Sequence, residues 1–202
     1  MDLVPEIPTR EIRASFDDTT LTVYQAYSSA IANTALAAGR FVPPFKLERM
    51  TWIKPSFLWM MYRSGWATKP GQERVLAIAI SREGFEWALA HSCLSHYDPT
   101  IHRDEEQWTA LKQASPVRVQ WDPERTLTLD PLPHRAIQVG LSGEAVERFV
   151  EEWIVSIDDV TRLVHDTHRL VTAGDPAGAA SLLPTERRYA LRDDLRRIVG
   201  AD

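Results

Sequence analysis

Apolar residues recur along this chain with two different periods, and the switches between them mark out its elements. Residues 20–27, TLTVYQAY, alternate and carry β-formers, which predicts a strand. Ser28 or Ser29 then caps a short helix, AIANTALAA, that stops at Gly39. The pairs Pro43-Pro44 and Lys54-Pro55 bracket a short extended piece, MTWI. Beyond Pro55 the spacing predicts a helix, SFLWMMYR, ended by Gly65. Residues 74–80, RVLAIAI, are nearly all apolar, the pattern of a buried strand, and Ser81 caps the helix REGFEWALAHS. Residues 95–115 read as polar and irregular, with a helical turn around Trp108. VRVQW at 117–121 and RAIQVGL at 135–141 predict two more strands, and Ser142 opens the helix EAVERFVEEWI.

From residue 157 the texture changes. IDDVTRLVHDTHRLV and TERRYALRDDLRRIV both place apolar residues at helical spacing, separated by Gly174-Asp175-Pro176. The expected architecture is α+β: a mixed sheet core of about five strands with interleaved helices and a helical C-terminal tail. The chain reads as one domain over 1–202, with an extended arm at 1–10, an α+β core at 10–156 and a helical segment at 157–202.

Composition narrows the partners. At 202 residues, 44% hydrophobic and 25% charged, the chain has ordinary globular values. A net charge of −5 excludes a global basic field for gripping duplex nucleic acid. The single cysteine, Cys93, excludes an internal disulfide. No stretch approaches ~20 apolar residues, so no membrane span is expected, and the acidic, proline-broken start is no secretory signal; a cytoplasmic protein is expected.

The candidate chemistry concentrates in residues 49–72, RMTWIKPSFLWMMYRSGWATKPGQ. Three of the seven tryptophans, Trp52, Trp59 and Trp66, lie there among Arg49, Lys54, Arg63 and Lys69. Aromatic faces beside cations suit a planar, anionic ligand; the plainer alternative is one helix burying its aromatics while its basic residues reach solvent. Ser56 at the start of a helix, with Lys54 before it, offers an anion-binding helix N-terminus. Arg13 and Tyr24 flank or occupy the first strand, where an arginine fork could clamp a pyrophosphate or simply pair with Asp17 or Asp18. His91, Cys93 and His96 have metal-ligand residue types but crowd six residues at a helix end, too close to converge on a tetrahedral centre, and His165 with His168 has no third ligand placed by spacing, so no metal is expected. Glu144, Glu147, Glu151 and Glu152 read as the solvated face of a helix. GxGxxG, GxxxxGK[ST], HExxH and GxSxG are all missing.

The phrases IRASFDDTTLTVYQAYSSAIANTALAAGRF, PPFKLERMTWIKPSFLWMMYRSGW, GQERVLAIAISREGFEWAL and IQVGLSGEAVERFVEEWIVSIDDVT resemble the family domain of unknown function 4291 over most of residues 10–165. More remotely, the order strand, short helix, Gly-Arg-Phe and polar-aromatic segment resembles the opening of ADP-ribosyltransferase-like domains. That resemblance implies NAD as the nucleotide, cleaved so that ADP-ribose passes to an acceptor. Its pattern is a His or Arg on the first strand, a Ser, Thr or Tyr on a second, and a Glu or Gln on a later one. Matched residue by residue, Tyr24-Gln25 takes the first place, with Gln25 where a cation is expected. Thr51 or Ser56 takes the hydroxyl place, and Gln138 the last, where it can orient an acceptor but not serve as a strong base. Arg13 would stand in for the missing first-strand cation.

The resulting expectation is a nucleotide-binding protein with Gln25, Thr51 and Gln138 as catalytic residues. Arg13, Tyr24, Lys54, Ser56, Trp59 and Arg63 would bind the ligand. The alternatives are a module that binds a nucleotide or a nucleic-acid end without turnover, and a protein-interaction domain with Trp66, Trp108 and Trp121 as exposed hot spots.

Overall fold

The structure, a computed structural model, describes residues 8–202. All but the last three residues of the expected N-terminal arm lie outside that range. Arg10 forms a parallel bridge with Arg135. In chain order the elements are β1 (Arg13–Ala14), β2 (Thr20–Tyr27), α1 (Ser29–Ala38), β3 (Thr51–Ile53), α2 (Phe57–Ser64) and β4 (Arg74–Ser81). There follow α3 (Arg82–Ala90), β5 (Ser92–Leu94), α4 (Glu105–Ala114), β6 (Val117–Arg125) and β7 (Pro131–Leu141). A short α5 (Glu144–Arg148) continues as a π-helical turn, Phe149–Trp153, and the chain ends with β8 (Ile154–Asp159), α6 (Thr161–Thr172), α7 (Pro176–Leu182), β9 (Arg187–Arg188) and α8 (Asp193–Val199).

The class is α+β, with two main sheets. One has the order β2-β4-β8 and the other β3-β7-β6-β5; β1 and β9 form a separate pair. All pairings are antiparallel except β5 with β6. The two main sheets meet at one backbone contact, where Tyr24 N–H donates to the Lys54 carbonyl at 2.7 Å.

Alternation along β2 and β4 explains how the β2-β4-β8 sheet is covered on both faces. Leu21 and Val23 on β2, with Leu76, Ile78 and Ile80 on β4, join the main core. Tyr24 and Val75 point the other way and pack with Phe57, Met60 and Met61 of α2 and Val164 of α6. The main core continues through Val117 and Val119 of β6, Val139 and Leu141 of β7, and Phe149 and Trp153 of the π-helical turn. At Gly84 on α3 an added Cβ would lie 2.3 Å from the Trp153 ring, so this helix can seat the indole only with glycine there.

Several elements depart from the sequence expectation. Among the described residues nine strands stand where about five are expected: β1, β5 and β9 are two or three residues long and carry too few positions to show a period, and β8 falls in a stretch read as helical. Residues 95–115 hold a full helix, α4, whose N-cap Asp104 accepts from the Gln107 N–H; it buries none of its residues, so no apolar stripe announces it. The helix expected after Ser142 gives way at residue 154 to β8. The segment 157–202 carries three helices, α7 occupying the expected separator, but it also closes the central sheet through β8 and pairs β9 with β1.

Candidate functional site

A cleft of about 640 Å³ opens where the two main sheets diverge beside the Tyr24–Lys54 bridge. Gln25 and Tyr27 of β2 and Ile31 of α1 line one side. Thr51, Trp52 and Lys54 on and just after β3, with Gln138 of β7 and Gln120 of β6, line the other. Met60 and Arg63, three apart on one face of α2, close one end. The loops carrying Lys46, Arg49 and Met50, and Pro70 to Gln72, form the rim.

Register explains the floor. In β3 and β7, Trp52 pairs with Gly140 and Ile53 with Val139, so Lys54 falls opposite Gln138 at the next position. Gln138 in turn pairs with Gln120 across β7 and β6, giving a polar row Lys54–Gln138–Gln120 on one face of the sheet. Asp122, two residues beyond Gln120 on that face, accepts from Gln138 Nε2 at 2.6 Å and from Gln120 Nε2 at 3.0 Å. Gly140 leaves room for the Trp52 ring: an added Cβ would stand 2.9 Å from it.

Two residues in this cleft have unusual environments. The Gln25 amide, 3% exposed, donates through Nε2 to Thr51 Oγ1 at 2.6 Å and to the Trp52 carbonyl at 3.2 Å. Its Oε1 is buried and has no hydrogen-bond partner among the described residues. Thr51 Oγ1 also shares a hydrogen bond with Tyr27 Oη at 3.0 Å. Lys54, 5% exposed, sends Nζ to the Trp52 carbonyl at 3.0 Å and lies 5.6 Å from the centre of the Trp59 ring. Burial, then the Arg63 charge, push its ammonium down to about 7, against the opposing pull of Asp122.

Charge in the cleft runs against that of the whole chain. Lys46, Arg49, Lys54 and Arg63 line it, and no aspartate or glutamate does among the described residues. None of the four enters a salt bridge among those residues, whereas most other arginines do.

Of the nine expected site residues, Gln25, Thr51, Lys54, Arg63 and Gln138 line this cleft. The other four do not. Arg13 sits on the β1–β9 ribbon and pairs with Glu11 at 3.1 Å. Tyr24 faces the second core and packs edge-on to Phe57 at 5.4 Å, its phenol pushed upward by burial. Trp59 is buried and touches the cleft only through Lys54.

Ser56 is the N-cap of α2. Its Oγ accepts from the Trp59 N–H and donates to Glu124 Oε1 at 2.9 Å. The Phe57 N–H donates to Glu186 at 2.7 Å, so this helix start is already filled by carboxylates of the protein itself. Burial raises Glu124, and burial with the nearby Glu124 charge pushes Glu186 up to about 8.

Sequence reasoning also left some cleft groups unmarked. Gln120 read only as the polar half of an alternating strand, and Asp122, which holds Gln120 and Gln138 from behind the lining, lay beyond that strand's expected end; pairing with β7 gives them their role. Trp66 and Trp121, expected as exposed hot spots, are buried; Trp66 stacks on His168 at 5.1 Å, and Trp121 Nε1 donates to the Val199 carbonyl. Cys93 is buried, its thiol raised by burial, and His91 stacks on Trp87. Among the described residues no three His, Cys, Asp or Glu side chains gather to hold a metal ion, and no helix is long and apolar enough to cross a membrane.

Fold and site together define an α+β protein with a cation-lined cleft between two split sheets. The family described as Domain of unknown function (DUF4291) matches residues 11–189, and the chain belongs to that family. No curated protein matches the chain.

Proposed function

We propose that the protein binds NAD, or a related nucleotide, in the split-sheet cleft and passes ADP-ribose from it to an acceptor. One observation carries this reading: Gln25, Thr51 and Gln138, from three strands of two sheets, line a single cleft with four cations outside any ion pair. Lys46, Arg49 and Arg63 suit a diphosphate, which free guanidinium and ammonium groups hold by charge-assisted hydrogen bonds. The orphan Gln25 Oε1 suits an O–H or N–H donor, as a ribose hydroxyl or a carboxamide offers. Trp52 and Phe45 supply apolar lining for a planar ring.

In this reaction the bond from the ribose C1 to the nicotinamide nitrogen breaks, and its electron pair leaves with nicotinamide. The acceptor then forms a bond to the resulting oxocarbenium carbon and releases its proton to water. Gln138, held by Asp122, aligns the acceptor, and the Asp122 carboxylate behind it opposes the developing positive charge. Positioning rather than a strong base supplies the rate.

Glutamine at both the first and the last strand positions supports a second reading, in which the same cleft binds a nucleotide without turnover. Incubation with NAD distinguishes the two. Nicotinamide release, lost in Arg63→Gln, is expected for transfer; a thermal shift with NAD, AMP or ADP-ribose but no release supports binding alone. Neither release nor shift removes both.

A further inference from the structure

We propose that Lys54 is an amine nucleophile that captures a phosphorylated aldehyde, an open-chain sugar phosphate in chemical class, as an imine in the cleft. The inference shares the cleft of the preceding reading and does not require glycosyl transfer.

Three separate observations lead to it. The Lys54 amine is enclosed yet lines an accessible cleft, and among the described residues no carboxylate lies within ion-pairing distance. A lysine kept without a carboxylate partner in such a place is held in a form with a free lone pair. Around it Lys46, Arg49 and Arg63 present positive charge that the protein leaves unpaired, which suits a phosphate. Beside it the buried Gln25 Oε1 lacks a donor among the described residues, which a sugar hydroxyl would supply. An amine, phosphate-binding cations and a hydroxyl acceptor together describe a phosphorylated polyhydroxy aldehyde.

The charged groups facing the amine are Arg63 from α2 and Asp122 from β6. Burial, then the Arg63 charge, lower it to about 7 against the opposing pull of Asp122, so a fraction of the lone pairs is free at physiological pH. In the step itself the Nζ lone pair forms a bond to the carbonyl carbon, and the C=O π pair moves to oxygen. That oxygen gains the nitrogen's proton and a second proton and leaves as water, giving the protonated imine.

The chain has four lysines, Lys46, Lys54, Lys69 and Lys112, which makes the test direct. The intact protein is incubated with pyridoxal 5′-phosphate near neutral pH, reduced with borohydride and mapped by mass spectrometry. We expect the adduct on Lys54 at least about tenfold above the other three, with labelling that rises through about pH 7. Pyrophosphate should protect it. Arg49→Gln, at a cleft cation outside the groups that shift Lys54, should slow labelling by pyridoxal phosphate and leave labelling by pyridoxal unchanged, which separates phosphate binding from amine reactivity. Lys54→Arg, with an unchanged melting curve, should lose the adduct. Even labelling across the four lysines, or an unlabelled Lys54 in folded protein, overturns the proposal. Nicotinamide release with Lys54 unlabelled sinks this inference alone, and labelling without release sinks the transferase reading alone.

Discussion

Lys54 is enclosed by the fold, Glu186 is half-buried against the start of α2, and each has its charged form disfavoured by burial. They act on stability in opposite senses. Glu186 holds its proton in the folded state up to about pH 8, whereas an exposed glutamate releases it near the usual carboxylate value. Its contribution is therefore fully present below the unfolded pKa and is lost as pH rises through about 8. Lys54, lowered to about 7, works the other way: its burial penalty is relieved as pH rises from about 7 toward the ordinary lysine value. Comparing Glu186→Gln with the parent isolates the first effect. The variant, which still offers a carbonyl oxygen to the Phe57 N–H, should gain stability over the parent steadily between about pH 5 and pH 8 in urea titrations. Parallel curves across that range would remove Glu186 as the titrating group.

At the scale of elements, α2 shows how much one helix can carry. Its boundaries follow from local chemistry: Ser56 caps the start and Gly65, in the left-handed region, ends it. Those residues are legible in sequence, as are the strands 20–27 and 74–80, because eight-residue alternation or a long apolar run needs no partner to be recognised. What the helix faces is not legible. Trp59 points into the fold and Tyr62, three residues on, is exposed and stacks under the Arg125 guanidinium at 3.6 Å. Trp59→Ala should cost roughly 3–5 kcal/mol by thermal or chemical unfolding, and Tyr62→Ala about 1 kcal/mol or less. Equal losses would mean that both rings serve the core. The turn after α2 keeps Trp66 and Ala67 at positive φ, a conformation held by packing in the second core and by the Trp66 N–H on the Met61 carbonyl and the Ala67 N–H on Ser64 Oγ.

At the scale of the molecule, the C-terminal segment is structural. Tyr189, Leu195 and Val199 are buried in the main core, and Tyr189 Oη donates to Glu86 at 2.7 Å. Fully burying a leucine or valine is worth about 1.5–3 kcal/mol against a total stability of about 5–15 kcal/mol. Removing residues 187–202 should therefore abolish cooperative unfolding by circular dichroism; a truncated protein with an unchanged melting temperature would show that the segment only decorates the fold. The cleft depends on the same scale. Its residues come from β2, β3, α2, β6 and β7, and only the divergence of two sheets beside a single backbone contact brings them together.

The amino-acid sequence by itself determined the α+β class, the family, the helix starts at Ser56 and Ser81, the longer strands and a concentration of cations and aromatics in residues 49–72. These follow from periods and caps that act within a few residues of one another. Tertiary structure alone decided which of those groups share a cleft. Pairing of β3 with β7, and of β7 with β6, sets Lys54 beside Gln138 and Asp122, while the reversal of side-chain direction at Tyr24 and the hydrogen bond of Ser56 to Glu124 carry those two residues away from it. The physical reason is that a strand's two faces and a helix's buried side are fixed by partners distant in the chain, and no local period records them.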